Sequence, residues 1–191
     1  GKDIRYTLEL TFEEAAFGVS KTITLPDARA YTAVVAPGTK DGTIKTGKGE
    51  GEQGKGGAAS GDLHILVRVA EHPSFRREGL DVHSARQIAF AQAALGGVVD
   101  VDTLDGPVKM RIPEGTQPGA VFRIRNRGIP QSAGKTAPRG DHLVTVQVEV
   151  PTGLTPRQRE LIEELGKTSG ETAVAPKRQR LLDRVRSLLD E

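Results

Sequence analysis

Few residues of this sequence have the type and spacing of a catalytic or metal-binding site. The chain contains no cysteine, which excludes disulfides, thiolate metal ligands and cysteine nucleophiles. A Gly-x-Ser-x-Gly nucleophile elbow is absent, and the acidic residues are scattered along the sequence. Histidine occurs without the spacing of metal ligands, at His64, His72, His83 and His142. We therefore expect a protein that is not an enzyme and that needs no metal or cofactor.

Two glycine-rich stretches partly match phosphate-binding patterns. Residues 49–54 satisfy Gly-x-Gly-x-x-Gly, and residues 42–48 come near a Walker A loop. No helix is predicted after either stretch, and Glu50 and Glu52 would repel a pyrophosphate. Residues 45–61 as a whole are too rich in glycine and charge to bury a core, so they predict a mobile loop.

The dominant feature of the sequence is an internal repeat with an offset of about 79 residues. Two copies of one folding unit explain the recurrence better than chance, because the landmarks recur in the same order. The matching landmarks are residues 12–18 and 90–96, residues 37–42 and 113–119, and residues 61–69 and 140–148.

Short strands and one short helix would form the frame of each copy. Tyr6, Leu8 and Leu10 alternate with polar residues, which predicts a half-buried strand. Thr11 and Glu14 then have the spacing of a capping box, which predicts the start of a short helix. Later runs also alternate with a period of two, so we expect mostly antiparallel strands.

The whole pattern predicts a mostly β fold. We expect two tandem, similar, β-sandwich-like subdomains, each with one short helix, followed by C-terminal amphipathic helices. In the second copy, Asp105 and Gly106 separate two alternating runs and predict a hairpin turn. The expected domains are a peptide-binding subdomain I at 1–76, a subdomain II at 77–153 and a helical dimerisation segment at 154–191.

After the second copy the apolar period becomes helical. Thr155 and Gln158 have the spacing of a capping box, and a second helix follows a polar stretch. Their apolar face must be buried somewhere, and we consider three partners: the chain's own domain, the matching helix of a second subunit, and a membrane surface. The apolar positions are Leu161, Ile162, Leu165, Leu181, Leu182, Val185, Leu188 and Leu189.

Charge and hydropathy exclude several classes of partner. The formal net charge is only +2, which by itself does not indicate nucleic-acid binding. No apolar run reaches membrane-spanning length, and the first residues do not resemble a signal peptide. The absence of cysteine fits a reducing compartment, so we expect a cytoplasmic protein.

Several stretches of the sequence carry a family resemblance when they are taken together. They include Gln92-Ala93-Ala94-Leu95-Gly96-Gly97 and Thr103-Leu104-Asp105-Gly106. The full set is residues 3–15, 18–23, 61–63, 72–79, 92–97, 103–109, 112–117, 140–141 and 154–159. In this order they resemble the C-terminal substrate-binding region of a DnaJ-family (J-domain) co-chaperone, over nearly the whole chain.

The chain also departs from the family pattern. It lacks the J domain with its His-Pro-Asp loop, so we expect that these residues alone cannot stimulate a partner ATPase. The cysteine-rich zinc module of many relatives would interrupt residues 25–30, which here run straight through. The sequence therefore resembles a zinc-free arrangement or a chain from which the module was removed. Arg86 and Gln87 stand where the family has an apolar residue and a proline.

The resemblance implies a protein that holds unfolded polypeptides by β-augmentation and delivers them to a DnaK-type heat-shock chaperone. It implies a groove between the first two long strands, lined by Tyr6, Leu8, Ile23 and Leu25. Phe75 would close one end of this groove, and Lys21 at its rim would engage acidic peptide tails. Without the resemblance, alternating aliphatic residues would simply be core. A homodimer would place two such grooves on one client and raise avidity.

Two other functions remain open from the sequence. Some relatives bind curved DNA, and a basic strand face with basic residues near the C-terminus could contact phosphates. A purely structural, β-rich interaction module is the other alternative. The basic residues in question are Arg123, Arg125, Arg127, Lys177, Arg178 and Arg180.

Overall fold

The structure is a computed structural model that describes residues 1–170, 185, 186, 188 and 189. The chain divides into two compact units, Gly1–Glu149 and Val150–Glu191. Helix α3, in the second unit, spans Pro156–Thr168. The elements of the first unit are β1 (Ile4–Leu10), α1 (Phe12–Phe17), β2 (Val19–Thr24), β3 (Ala30–Val35), β4 (Ile44–Gly47), β5 (Leu63–Val69), β6 (Arg76–Glu78), β7 (Asp81–Ala89), α2 (Phe90–Leu95), β8 (Gly97–Thr103), β9 (Gly106–Ile112), β10 (Val121–Ile124) and β11 (His142–Glu149).

The internal repeat of the sequence is also a repeat of structure. In the first copy β1 pairs parallel with β5, and β5 pairs antiparallel with β4. In the second copy β7 pairs parallel with β11, and β11 pairs antiparallel with β10. The hairpins β2–β3 and β8–β9 form separate two-stranded sheets. This confirms the mostly β class with two similar copies, each containing one short helix.

The parallel pair in each copy was not predicted by the sequence pattern. A parallel pair requires a long crossover connection, which alternation along one strand does not reveal. Here the helix, the hairpin and the following short strand together form that connection. Val67 of β5 exchanges backbone hydrogen bonds of 2.8 Å with Gly42 and Thr43, and Val146 of β11 makes the equivalent bonds in the second copy.

The capping and hairpin predictions are confirmed. The hydroxyl of Thr11 accepts a hydrogen bond from the Glu14 N–H at 3.1 Å, and the Glu14 carboxylate accepts one from the Thr11 N–H at 2.9 Å. This backbone donor, helped by Lys21, holds the pKa of Glu14 below its usual range. In the second copy β8 and β9 flank Leu104 and Asp105, and Gly106 has the positive φ of 97° that suits a tight turn.

Three apolar clusters form the core of the first unit. One lies within the first repeat and a second within the second repeat. The third joins the two repeats, because it contains residues from both and from the segment between them. Its buried members are Phe12, Ala16, Phe75, Val82 and Ile129. Burial of each large side chain contributes roughly 1.5–3 kcal/mol to stability.

The glycine-rich segment at residues 45–61 contains a short strand and forms backbone hydrogen bonds with the start of the chain. Its first residues belong to β4, and the N–H of Glu52 donates to the carbonyl of Lys2 at 2.9 Å. Gly51 and Gly61 are joined by a 2.8 Å backbone hydrogen bond. A Cβ at Gly61 would lie 2.2 Å from the Lys2 carbonyl oxygen, so glycine is required for this close approach. Residues 45–47 are therefore strand and not loop, and the mobility of the remaining residues stays a prediction.

Arg77 connects β6 to the turn that follows β3. Its guanidinium donates to the carbonyls of Thr39 at 2.9 Å and Gly38 at 2.8 Å, and also to Gly79 at 2.8 Å. Burial lowers the pKa of Arg77, yet an arginine remains charged at neutral pH. One side chain thereby ties the first repeat to the segment that begins the second.

Replacement of Arg77 tests this connection. The substitution Arg77→Met should lower the free energy of unfolding by about 2 kcal/mol, because hydrogen bonds to charged groups contribute roughly 1.5–3 kcal/mol. Urea unfolding followed by circular dichroism measures the change. Arg76→Met, on the same strand but at an exposed position, is the matched control and should cost less than about 0.5 kcal/mol. Equal losses in both variants would contradict the connecting role.

Candidate functional site

The outer edge of β1 carries backbone groups that no described strand pairs. β1 lies at one end of its sheet, with β5 as its neighbour. The Ile4 N–H donates to Asp62 and the Leu10 carbonyl accepts from Ala70, so the even-numbered residues of β1 face β5. Successive residues of a strand point their backbone groups to opposite sides. The odd-numbered residues between Ile4 and Leu10 therefore point theirs away from β5.

The outer edge of β2 has the same property. The N–H of Leu25 donates to the carbonyl of Arg29 at 2.9 Å, which identifies this pair as hydrogen-bonded. Antiparallel pairs alternate between hydrogen-bonded and non-hydrogen-bonded types. The backbone N–H and C=O of Thr22 and Thr24 therefore point away from β3. Their edge has no partner strand among the described residues.

Lys21 links these two edges. Its ammonium lies 3.3 Å from the carbonyl oxygen of Glu9 in β1 and 3.0 Å from the carboxylate of Glu14 in α1. Lys21 is half-buried, at one end of the space between β1 and β2. A role in binding acidic peptide tails stays a prediction, and such a tail would compete with Glu14 for the ammonium.

The predicted apolar residues of the groove lie together, but they are covered. Leu8, Ile23 and Leu25 have exposed fractions of 4%, 5% and 3%, and all belong to the core cluster of the first repeat. Tyr6 is half-buried and packs against that cluster. These side chains form a floor beneath the unpaired edges rather than the open pocket that we expected. Their part in peptide binding stays a prediction.

Phe75 lies apart from the other predicted groove residues. It belongs to the cluster between the repeats, where its ring stacks on His72 with centroids 4.3 Å apart and an interplanar angle of 13°. Phe12 and His142 contact it through tilted and edge-on rings at 6.0 and 5.5 Å. With Phe12 and His72, Phe75 lines a cavity of about 840 Å³ that also borders β7 and β11. Sequence reasoning missed this group, although the stretch from His72 to Phe75 was among those that carried the resemblance.

His72 is fixed in one tautomer by its neighbours. Its Nδ1 accepts hydrogen bonds from the N–H groups of Ser74 and Phe75 at 3.0 and 3.1 Å. The proton of a neutral ring is therefore on Nε2, which lies 2.9 Å from a carboxylate oxygen of Glu13. This ring holds the linker segment against α1 and makes one wall of the cavity.

His142 is a fully buried ionisable group in the same region. Its Nε2 lies 2.7 Å from the hydroxyl of Ser84, and its Nδ1 has no hydrogen-bond partner among the described residues. Burial lowers the pKa of His142, and the neighbouring His83 lowers it further. The ring therefore stays neutral at pH 7.

The basic residues considered for DNA binding do not form one strand face. β10 ends at Ile124, so Arg125 and Arg127 follow the strand, and the prediction of a shared face is wrong. Arg123 pairs with Asp141 at 2.6 Å. This pair and the backbone N–H of Asn126, which contributes more, lower the pKa of Asp141. The remaining residues, Lys177, Arg178 and Arg180, lie outside the described residues.

The described residues contain neither a metal-binding cluster nor a membrane-spanning helix. No group of three or more histidine or acidic side chains in them could hold a metal ion. No helix within the same residues is long and apolar enough to cross a membrane.

The apolar face of the C-terminal helix is exposed in the described structure. The capping box at Thr155 and Gln158 forms as predicted, with hydrogen bonds of 3.1 and 2.8 Å. No residue of α3 is buried. The exposed apolar residues of this unit include Leu161, Ile162, Leu165, Val185, Leu188 and Leu189. The predicted dimer residues Leu181 and Leu182 lie outside the described residues.

Comparison with known proteins gives one consistent result. The family described as DnaJ C terminal domain matches residues 4–151. A "Chaperone protein DnaJ" of Desulfitobacterium hafniense is 33% identical over 265 aligned positions, which cover 100% of this chain and 70% of that protein. The alignment is longer than the 191-residue chain, so it includes positions at which this chain has no residue.

Other relatives are more similar over a shorter region. The "Chaperone protein DnaJ" of Clostridioides difficile is 46% identical over 136 residues, which cover 71% of this chain and 35% of that protein. The protein of the same name from Caldicellulosiruptor bescii is 43% identical over 152 residues, which cover 80% and 38%. The matched region is thus well under half of these two relatives.

Because His142 is buried as a neutral ring, we expect the free energy of unfolding to fall in mild acid. Because its pKa is lowered on folding, its contribution is complete above the ordinary histidine pKa of 6.5 and is lost as the pH falls below that value. One such group can remove at most about 1.4 kcal/mol per pH unit. Urea unfolding at pH 7.5, 6.5 and 5.5 measures the slope.

His142→Gln should flatten this slope. His64→Gln, which removes a partly exposed histidine, is the control and should retain it. If the slope is unchanged in the His142 variant, other groups cause the acid sensitivity.

Proposed function

The chain belongs to the DnaJ C-terminal domain family, a chaperone family and not a family of enzymes, and we propose that it holds unfolded polypeptides as the client-binding part of a co-chaperone. A client segment would add as a strand at the edges of β1 and β2. The observation that supports this most directly is the set of outward-pointing backbone groups on both edges above a buried aliphatic floor.

Strand addition suits a protein that must accept many sequences. Backbone hydrogen bonds do not depend on the client's side chains, and an apolar floor would favour any bulky apolar residue. Leu8, Ile23 and Leu25 would contact the client only after neighbouring side chains such as Tyr6 move aside. Tyr6 packs against the cluster and is only half-buried, so its movement would not open the centre of the core.

The expected affinity is low. Burial of one client side chain contributes roughly 1.5–3 kcal/mol. The loss of translational and rotational freedom on association offsets much of this gain. Weak and rapidly reversible binding agrees with a carrier that passes its client to a DnaK-type chaperone, which we propose as the partner. The absence of cysteine is consistent with a protein that acts in a reducing compartment, and we propose the cytoplasm.

Dimerisation through the C-terminal unit would strengthen this binding. Leu161, Ile162 and Leu165 form an exposed apolar stripe on α3. We propose that the stripe packs against a second copy of the chain. Two client sites on one dimer would raise the overall affinity for a long client without any new contact, provided that the client spans both.

A proline in β2 tests strand addition without disturbing the core. Thr22 points its N–H outward, so Thr22→Pro removes a donor for the client strand and breaks no backbone hydrogen bond to β3. It also removes the 3.3 Å contact between the hydroxyls of Thr22 and Thr32, which the control variant loses as well. Loss of one hydrogen bond is worth roughly 0.5–1.5 kcal/mol, which corresponds to about two- to tenfold weaker binding. Fluorescence anisotropy of a labelled peptide with alternating leucine and threonine measures the affinity.

Thr32→Pro is the matched control. Thr32 lies opposite Thr22 in the same non-hydrogen-bonded pair, and its N–H points away from β2 on the far side of the hairpin. The Thr32→Pro variant should bind the peptide with the affinity of the wild type. Equal affinities of the two variants would show that the β2 edge does not receive the client. Polar substitution of Ile23 is unsuitable as a test, because Ile23 is a core residue.

Removal of residues 154–191 tests the proposed dimer. The first unit is compact by itself, so the shortened chain should remain folded but sediment as a monomer and suppress aggregation less well. In the full chain, the double substitution Leu161→Glu and Leu165→Glu should also give a monomer. Arg159→Glu with Glu163→Lys, on the opposite face of α3, should leave the dimer intact. A dimer of the shortened chain would contradict the proposal.

A further inference from the structure

Arg86 occupies the place in the second repeat that corresponds to the client edge of the first. We propose that it closes the second repeat to strand addition, so that each chain binds one client segment and not two. This inference rests on the proposed function, because it assumes that the first repeat receives a client strand.

Arg86 and Leu8 are structural counterparts. Leu8 lies beside Val67 in the β1–β5 pair, and Arg86 lies beside Val146 in the β7–β11 pair. Val67 and Val146 hold the same position in the repeated stretch that begins with Gly-Asp. The half-buried Arg86 therefore stands where the first repeat has a buried aliphatic side chain.

The Arg86 guanidinium joins the edges of two strands. Its Nε donates to the carbonyl of Asp100 in β8 at 2.9 Å, and its Nη1 donates to the carbonyl of Gln87 in β7. β6 covers β7 only from Asp81 to His83, so it does not occupy this part of the edge. Arg86 thus spans the space that a client strand would enter.

Both carbonyls are those that an added strand would use. Asp102 lies opposite Pro107, which has no N–H, so these two residues do not form a hydrogen-bonded pair. Because the two pair types alternate along an antiparallel ladder, Asp100, two residues away, also belongs to a non-hydrogen-bonded pair. The Asp100 carbonyl therefore points away from β9. The Val82 N–H faces β11, so the odd-numbered Gln87 faces the opposite side.

The first repeat lacks this closure. Thr22 is the counterpart of Asp100, and its carbonyl accepts no side-chain hydrogen bond from the described residues. The Lys21 ammonium donates to one backbone carbonyl, that of Glu9, whereas Arg86 donates to two. The other partner of Lys21 is the carboxylate of Glu14 in α1. A strand that entered the second repeat would instead have to displace charged hydrogen bonds from two carbonyls and leave a guanidinium without partners.

Peptide stoichiometry tests the inference. Isothermal titration of the full chain with the alternating leucine–threonine peptide should give one peptide per chain for the wild type and two for Arg86→Leu. Arg86→Ala, which removes the guanidinium without adding apolar bulk, should also gain the second peptide with weaker affinity. Circular dichroism confirms that each variant is folded.

A second substitution locates the new site. Asp100→Pro removes the outward N–H of β8 and the exposed ion pair with Lys109, but it leaves the backbone pairing with β9 intact. Arg86→Leu with Asp100→Pro should therefore return to one peptide. Arg111→Leu replaces an exposed arginine of β9 and is the control for added hydrophobicity. This variant should also bind one peptide per chain.

The outcomes separate the two hypotheses. Two peptides on the wild type, or no gain in either Arg86 variant, overturns the closure by Arg86. A wild type that binds no peptide overturns the proposed function, and the gain or absence of a site in Arg86→Leu still decides the role of Arg86.

Discussion

The parallel pairing of the first and last strands of each repeat is the constraint on which the candidate site depends. A strand can form hydrogen bonds along two edges, and β1 uses one of them for β5. Among the described residues no strand pairs with its other edge, and Lys21 of the separate β2–β3 hairpin contacts it there. In the part of the chain that the structure describes, the outer edges of β1 and β2 therefore keep unpaired backbone donors and acceptors, and a side chain connects the two edges. Exposed edges of this kind normally invite association and are covered or charged.

Basic side chains supply that cover in both repeats, but they begin from different strands. In the first repeat Lys21 extends from β2 to the carbonyl of Glu9. In the second, Arg86 extends from β7 and donates hydrogen bonds to the carbonyls of Gln87 and Asp100. Gln87 is the counterpart of Glu9. A lysine ammonium on a flexible stem leaves such a contact more readily than a guanidinium that binds two carbonyls at fixed geometry. One fold therefore presents one edge that opens easily and one that does not.

Local patterns in the sequence predicted the elements, and long-range packing decided their use. The capping residues Thr11 and Glu14 and the turn at Gly106 act over a few residues, so their geometry follows from their types. The parallel pairs could not be read from alternation, because a strand with one buried face alternates in either pairing direction. Alternation also does not distinguish the floor of an open groove from a closed core. Only the structure shows that Leu8 and Ile23 are buried. The departure at Arg86 was visible in the sequence, but its consequence required the position of the β8 edge.

The region between the repeats explains why the two edges can differ without loss of the fold. Phe75, His72 and Arg77 all lie in the segment from residue 70 to 80, and their contacts reach α1, the turn after β3 and the start of the second repeat. Stability at this junction comes from aromatic packing and from hydrogen bonds to backbone carbonyls, which do not involve the outer edge of β1 or that of β8. A substitution on either edge therefore leaves the connection between the repeats intact. The edges are free to change their charge and shape, and so their selectivity for clients, while the junction keeps the two repeats together.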